Sequence, residues 1–352
     1  MPAVWSCCLL LSACEELRDD ERGWQWSQQI SAFSNRLGVP FVVGNCRSHF
    51  GCILTRRGRW LDAERELVTA VERLPHGPQA WYADALARLG DLRRRQGRQT
   101  EARQAFEEAG EQWFAQAGLA AIHLEAGDAA GAAALAERAL RQLPEASPKR
   151  VDALEVGVRA RLALQAPGKA AELARELRHL AATVGTSSLL ATAQLCEARL
   201  ATANNDVELA ARHYADAIAS FDRAGTPYEA ALARLELAQV LSSTACSELA
   251  VIEARRAWST LEALDASREA DRATALLAEL VGSDTTRESC PLTRRQVQIL
   301  KLAAEGLTER QIAEHLVLSE HTVHRHLANI YTRLDCSSRA AAVAKASRLG
   351  LL

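Results

Sequence analysis

Between Thr308 and Arg333 the chain gathers side chains that hydrogen-bond or carry positive charge: Thr308, Arg310, Ser319, Thr322, His324, Arg325, His326, Asn329 and Arg333. Guanidinium and hydroxyl groups at such density suit phosphate and base edges, and imidazoles can donate, accept or ligate a metal. His315, His321, His324 and His326 are close enough in sequence to consider zinc. They fall on and just before an amphipathic helix, where groove contact or packing accounts for them better. Cys46, His49 and Cys52 also have ligand chemistry, but on a helix they fan across about 120° and lack a fourth ligand, so a packing role is expected. There is no G-x-S-x-G, no H-E-x-x-H and no phosphate-cradling glycine loop, the nearest string being Ala166-Pro-Gly-Lys-Ala170. No catalytic activity, cofactor or metal is therefore expected.

The elements that must position these residues are legible from their starts and stops. Thr293 with Gln296 and Thr308 with Gln311 form two capping boxes ahead of apolar runs, and Gly306 ends the first helix. Ser319 is placed to cap a third helix after a tight turn. On that helix Val323, Leu327, Ile330 and Leu334 share one face and should bury against Ile312, Ala313 and Leu316, leaving Thr322, His324, Arg325, Ala328, Asn329 and Thr332 opposite. A short helix, a tight turn and a second helix with polar and cationic outward residues is the helix-turn-helix arrangement.

The segment resembles the LuxR-type (GerE) domain of bacterial transcription regulators through Leu292-Thr293, Arg295, Gly306-Leu307-Thr308, Ile312-Ala313, Ser319, Thr322-Val323, His326, Asn329-Ile330-Tyr331, Leu334 and Ser338-Arg339. It departs at Gln296, where the family has Glu, and at His324, where it has Lys. The resemblance implies a duplex-DNA contact surface made of Thr308, Arg310, Ser319, Thr322, Val323, His324, Arg325, His326, Ala328, Asn329 and Arg333. It also implies a homodimer on DNA, paired through a last helix from about Ser338 that presents Ala341, Ala342, Val343 and Ala344.

Charge supports the placement. The whole chain carries a net −2, but Leu292 to Leu352 holds nine Lys and Arg against five Asp and Glu, leaving 33 against 39 elsewhere. Nine scattered cysteines without a C-x-x-C pair read as buried thiols of a reducing cytosol, with no disulfide expected. Leu11 to Cys14 resembles a lipoprotein cleavage box, yet Met1 to Ser6 has no Lys or Arg and the apolar stretch is short. No run approaches a membrane span, so a cytoplasmic protein is expected.

From Gln25 to about Leu280 the chain is rich in Ala, Leu, Arg and Glu and broken by Gly or Pro into helix-length pieces. A unit recurs with anchoring alanines at 63, 102, 132, 171, 210 and 250, near the period of helical repeats. Its charged residues are expected on solvated faces, and Trp60, Trp81, Trp113 and Trp258 in packing roles. The segment before Gln25 reads as one helix docked on the first repeat. The region resembles tetratricopeptide repeats, and the whole chain resembles the carboxyl-terminal part of the large ATP-binding LuxR-type regulators, without their nucleotide loop. The expected fold is all-α: a tetratricopeptide-like α-solenoid over residues 1–281, a polar linker over 282–291 and a four-helix LuxR-type helix-turn-helix domain over 292–352. The expected function is a DNA-binding transcriptional regulator whose repeat groove takes a protein or small-molecule effector. The alternative is an interaction scaffold whose terminal bundle serves docking or dimerisation.

Overall fold

The computed structural model describes residues 2–34, 40–242, 247–287, 294–316, 320–334, 336 and 338–348. Every regular element among them is helical. Met1–Leu280 and Val281–Leu352 form two compact units, each with its own apolar core.

The first unit starts with α1 (Pro2–Glu16) and α2 (Asp20–Ser34), so the opening segment is two helices, broken at Arg18 with φ +52°. Helix pairs follow: α3 (Pro40–Arg56) with α4 (Trp60–Arg73), α5 (Gln79–Arg95) with α6 (Gln99–Ala109), α7 (Trp113–Glu125) with α8 (Ala129–Arg141), and α9 (Val151–Ala163) with α10 (Pro167–Val184). Then come α11 (Ser187–Ala203) with α12 (Val207–Ala224), α13 (Pro227–Ser242) with α14 (Ser247–Ala263), and a closing helix α15 (Ser267–Arg287). The antiparallel pairs are tetratricopeptide-like repeats.

One turn recurs inside the repeats. Gly58, Gly97, Gly127, Gln165 and Asn205 all have φ between +54° and +85°. In each, the next residue donates its N–H to the carbonyl five positions back: Arg59 to Leu54, Arg98 to Arg93, Asp128 to His123, Ala166 to Arg161 and Asp206 to Ala201. This is the Schellman helix stop, which satisfies carbonyls that the helix end leaves open. Five residues past each left-handed position lies a fully buried alanine: Ala63, Ala102, Ala132, Ala170 and Ala210. The anchor expected at Ala171 is thus Ala170. Its turn residue is Gln165, and the downstream Gly168 lacks a positive φ.

A left-handed glutamine carries a Cβ clash on the order of 1 kcal/mol. Gln165→Gly should raise stability by about 0.5 kcal/mol after the larger unfolded-state entropy of glycine is subtracted. Asn205→Gly should gain less, because asparagine tolerates this conformation. Urea midpoints at constant slope would measure both.

Two further expectations change. Cys8 and Cys46 are joined in a disulfide, their Cα atoms 5.1 Å apart, because α1 packs beside α3 and brings two buried thiols within bridging distance. Cys14, Cys52 and Cys196 are buried free thiols. Six of the ten residues of the expected linker are helical as well: α15 runs through Arg287, with no proline between its start and that point to interrupt it. Residues 288–293 lie outside the described part.

The core is small residues closed around a few large ones. Phe106 is fully buried against Gly90 and Gly118, and a β-carbon on Gly118 would come within 2.2 Å of its ring. Trp60 is buried 5.6 Å from Tyr228, joining α4 to α13, whereas Trp258 is 40% exposed. The last helices of the repeat unit reach back to its middle in other places too. Ser267 donates to the carbonyl of Gln96, Arg95 pairs with Glu229 and Arg268 with Glu125.

Candidate functional site

The second unit holds α16 (Arg294–Ala304), α17 (Glu309–Leu316), α18 (Glu320–Arg333) and α19 (Arg339–Arg348). Gly306, at φ +92°, ends α16. The second capping box forms as spaced: Thr308 Oγ1 accepts the Gln311 N–H at 3.3 Å and Gln311 Oε1 accepts the Thr308 N–H at 2.9 Å. Thr293 and the Ser319 cap lie outside the described residues, while Gln296 is buried.

Val323, Leu327, Ile330 and Leu334 are buried together with Ile312 and Ala313, and Leu316 packs against them. That face fixes the roll of α18 and turns His324, Ala328 and Asn329 outward. Thr322, Arg325 and Arg333 lie on α18, with side chains outside the described part, and His326 is half-buried. Val323 is a correction: at 0% exposure its side chain holds the helix and has no surface to offer a ligand. Arg310 is exposed and pairs with Glu314 at 3.2 Å.

Some of what shapes this surface was missed in the sequence. Glu309, in the first turn of α17, reaches His324 across the turn, with Oε2 3.2 Å from Nδ1. Its offset of 15 residues follows no local periodicity. Arg339 donates through Nη2 to the carbonyls of Ala303 and Leu307 at 2.5 and 2.6 Å, tying α19 to the open end of α16. On α19, Ala342 and Ala346 face the core, leaving Ala340, Ala341 and Ala344 exposed. Ala342 therefore drops out of the expected outward face, because Ser338 caps the helix at the Ala341 N–H and sets its phase.

The repeat unit contains a second candidate, a chamber of about 250 Å³ walled mainly by the odd-numbered helices. Its charged residues overturn the expectation of solvated faces. Asp84, Arg88, Asp91 and Arg95 recur at helical spacing on the inner side of α5, and Arg88 pairs with Glu15 of α1 at 2.9 Å. Arg199 bridges Glu155 and Glu236, holding α9, α11 and α13 together. Burial alone would raise the Glu15 carboxyl, but Arg88, His49 and Arg56 hold it well below its usual range. Opposed in the same way, burial yields to Arg95 and Arg94 at Asp91, which also sits low.

Among the described residues no group of three or more His, Cys, Asp and Glu is placed to hold a metal. Cys46 is spent in the disulfide, and His49 faces Glu15 at 2.5 Å. No helix among them is long and apolar enough to cross a membrane.

Comparison with known proteins agrees with this geometry. The model of bacterial regulatory proteins of the luxR family matches residues 290–346. Over 61 residues the chain is 46% identical to the quorum sensing-dependent transcriptional regulator RpaR of Rhodopseudomonas palustris, covering 17% of this chain and 25% of that protein. Over 57 residues it is 44% identical to the transcriptional regulatory protein LiaR of Bacillus subtilis, covering 16% of this chain and 27% of that one. The chain thus matches no more than 27% of the length of either relative. A solved Rap protein, in complex with competence and sporulation factor, is similar in fold at a TM-score of 0.58 and 13% identity, over 95% of this chain and 99% of that one. The carboxyl-terminal unit is a LuxR-type (GerE) helix-turn-helix domain, and the helices that precede it in the chain are tetratricopeptide-like repeats.

Proposed function

We propose that the chain is a transcriptional regulator that binds duplex DNA through α18 in the major groove. The observation that carries this is the roll of α18: Val323, Leu327 and Ile330 are buried in the core together with Leu334 just past its end, and His324, Ala328 and Asn329 are exposed. Net positive charge concentrated in this unit supplies phosphate attraction. On this reading Arg325 reads a base edge, while Thr308, Arg310, Thr322 and Arg333 hold phosphates, with Ser319 and His326 flanking them. Two copies would pair through the exposed alanines of α19 on paired half-sites. The repeats over 1–281 would act as a sensor arm whose chamber takes a protein or small-molecule effector, in a cytoplasmic protein.

Binding of the intact chain to fragments of its own upstream DNA, from about 50 to about 300 mM salt, tests the proposal. A steep salt slope with one fragment preferred supports it; no salt-dependent binding sinks it and leaves a scaffold. Arg325→Ala should cost about 1–3 kcal/mol on the preferred fragment and little on random DNA. Arg310→Ala should weaken all fragments alike and flatten the salt slope by about one. Equal losses on both kinds of DNA for Arg325→Ala would remove its reading role.

A further inference from the structure

We infer that Glu309 fixes which ring nitrogen of His324 carries the proton, so that His324 offers a bare acceptor to the groove and selects a base bearing an amino group, adenine or cytosine. The inference rests on the DNA-reading role proposed above. His324 is the fifth residue of α18, about a quarter turn round from the buried Val323 and Leu327 stripe, and its side chain is 69% exposed. Residues at the start of a groove-entering helix are those that reach base edges.

The chemistry follows from one contact. Glu309 Oε2 lies 3.2 Å from His324 Nδ1, and an ionised carboxylate can only accept a hydrogen bond. The shared hydrogen therefore belongs to Nδ1. A neutral imidazole carries one N–H, so Nε2 is left as an acceptor. In the major groove an acceptor is complementary to the N6 amino group of adenine or the N4 amino group of cytosine. It opposes guanine N7 and O6 and thymine O4. A lysine at the same position can only donate and would seek those acceptors instead. Histidine with its Glu309 partner thus inverts the polarity of the contact.

Glu309 also carries a cost that makes it testable. A carboxylate beside a phosphate backbone weakens binding to every duplex alike, whereas its effect on the tautomer touches one base. A merely structural role for Glu309 would not separate these two effects.

The test uses the full-length chain at pH 8. Duplexes are first selected from a randomised library, and the position whose preference disappears in His324→Ala is identified. At that position the amino group is then deleted, with purine for adenine or 2-pyrimidinone for cytosine. The wild-type protein should lose about tenfold in affinity on the amino-deleted duplex, the weight of one direct base contact. His324→Ala should lose nothing further. Glu309→Ala should bind random duplex more tightly while losing most of its dependence on the amino group, and His324→Lys should change the preferred base. The inference is overturned if wild type is indifferent to the amino group, if Glu309→Ala keeps the full dependence, or if His324→Lys selects the same base. Failure of the wild-type chain to enrich any duplex overturns the DNA-reading role itself, before any variant is made.

Discussion

Arg199→Met is expected to destabilise the repeat unit by about 3–5 kcal/mol, the range for removing one partner of a buried ion pair. Its guanidinium is 9% exposed and donates to both oxygens of Glu236, at 2.7 and 2.8 Å, and to Glu155. Tyr214 donates to Glu236 as well, at 3.1 Å. Methionine fills much of the volume but leaves two half-buried carboxylates with less to balance them. The pH dependence gives the sign. Burial would raise both carboxyls, yet Arg199 at Glu236, and Arg159 with Arg199 at Glu155, hold them low. Carboxyls depressed in the folded state contribute stability above their unfolded value, about 4.3, and lose it as pH falls through the folded value. Wild type should therefore weaken on acidification below about pH 4. In Arg199→Met burial acts with less opposition, so the deficit against wild type should shrink between pH 7 and pH 4. Urea titrations at the two pH values measure this, and a deficit that does not change with pH would reject the electrostatic account.

Cys46→Ser should cost about 4 kcal/mol in the chain-entropy treatment of a cross-link between residues 38 apart. The effect reaches beyond the bridge, because α1 carries Glu15, which pairs with Arg88 and His49, and leads into Arg18, which pairs with Asp152 of α9. Loss of the bond should raise hydrogen exchange along α1 before it raises exchange in α11 or α13. Reducing agent should bring wild type down to the variant and leave the variant unmoved. Equal melting of the two under oxidising conditions would show that the bridge contributes nothing.

The parts of the fold that the sequence announced are those set by local rules. The capping box of Thr308 and Gln311, the stop at Gly306 and the Val323, Leu327, Ile330, Leu334 stripe depend on neighbours within a few turns. The repeats were visible for the same reason, with one slip where a left-handed glutamine did the work usually given to glycine. Contacts between distant residues left no such trace. Glu309 on His324, Arg339 on the end of α16, and the Cys8–Cys46 bridge each join residues whose spacing has no periodic meaning. The inner charges of α5 were on the page as a four, three, four spacing at Asp84, Arg88, Asp91 and Arg95, but a charged stripe looks the same in sequence whether it meets water or an arginine from another helix.

Arg95 with Glu229 and Arg18 with Asp152 each tie residues 134 apart, and Arg268 reaches back 143 to Glu125. Open helical arrays lose their repeats from the ends inward, each leaving its neighbours intact. Here the outermost helices are fastened to the middle of the chain. Drawn apart in an optical trap, the ends of the repeat region would hold until these ties fail and then give way in one extension step, where an open array would lengthen in a staircase.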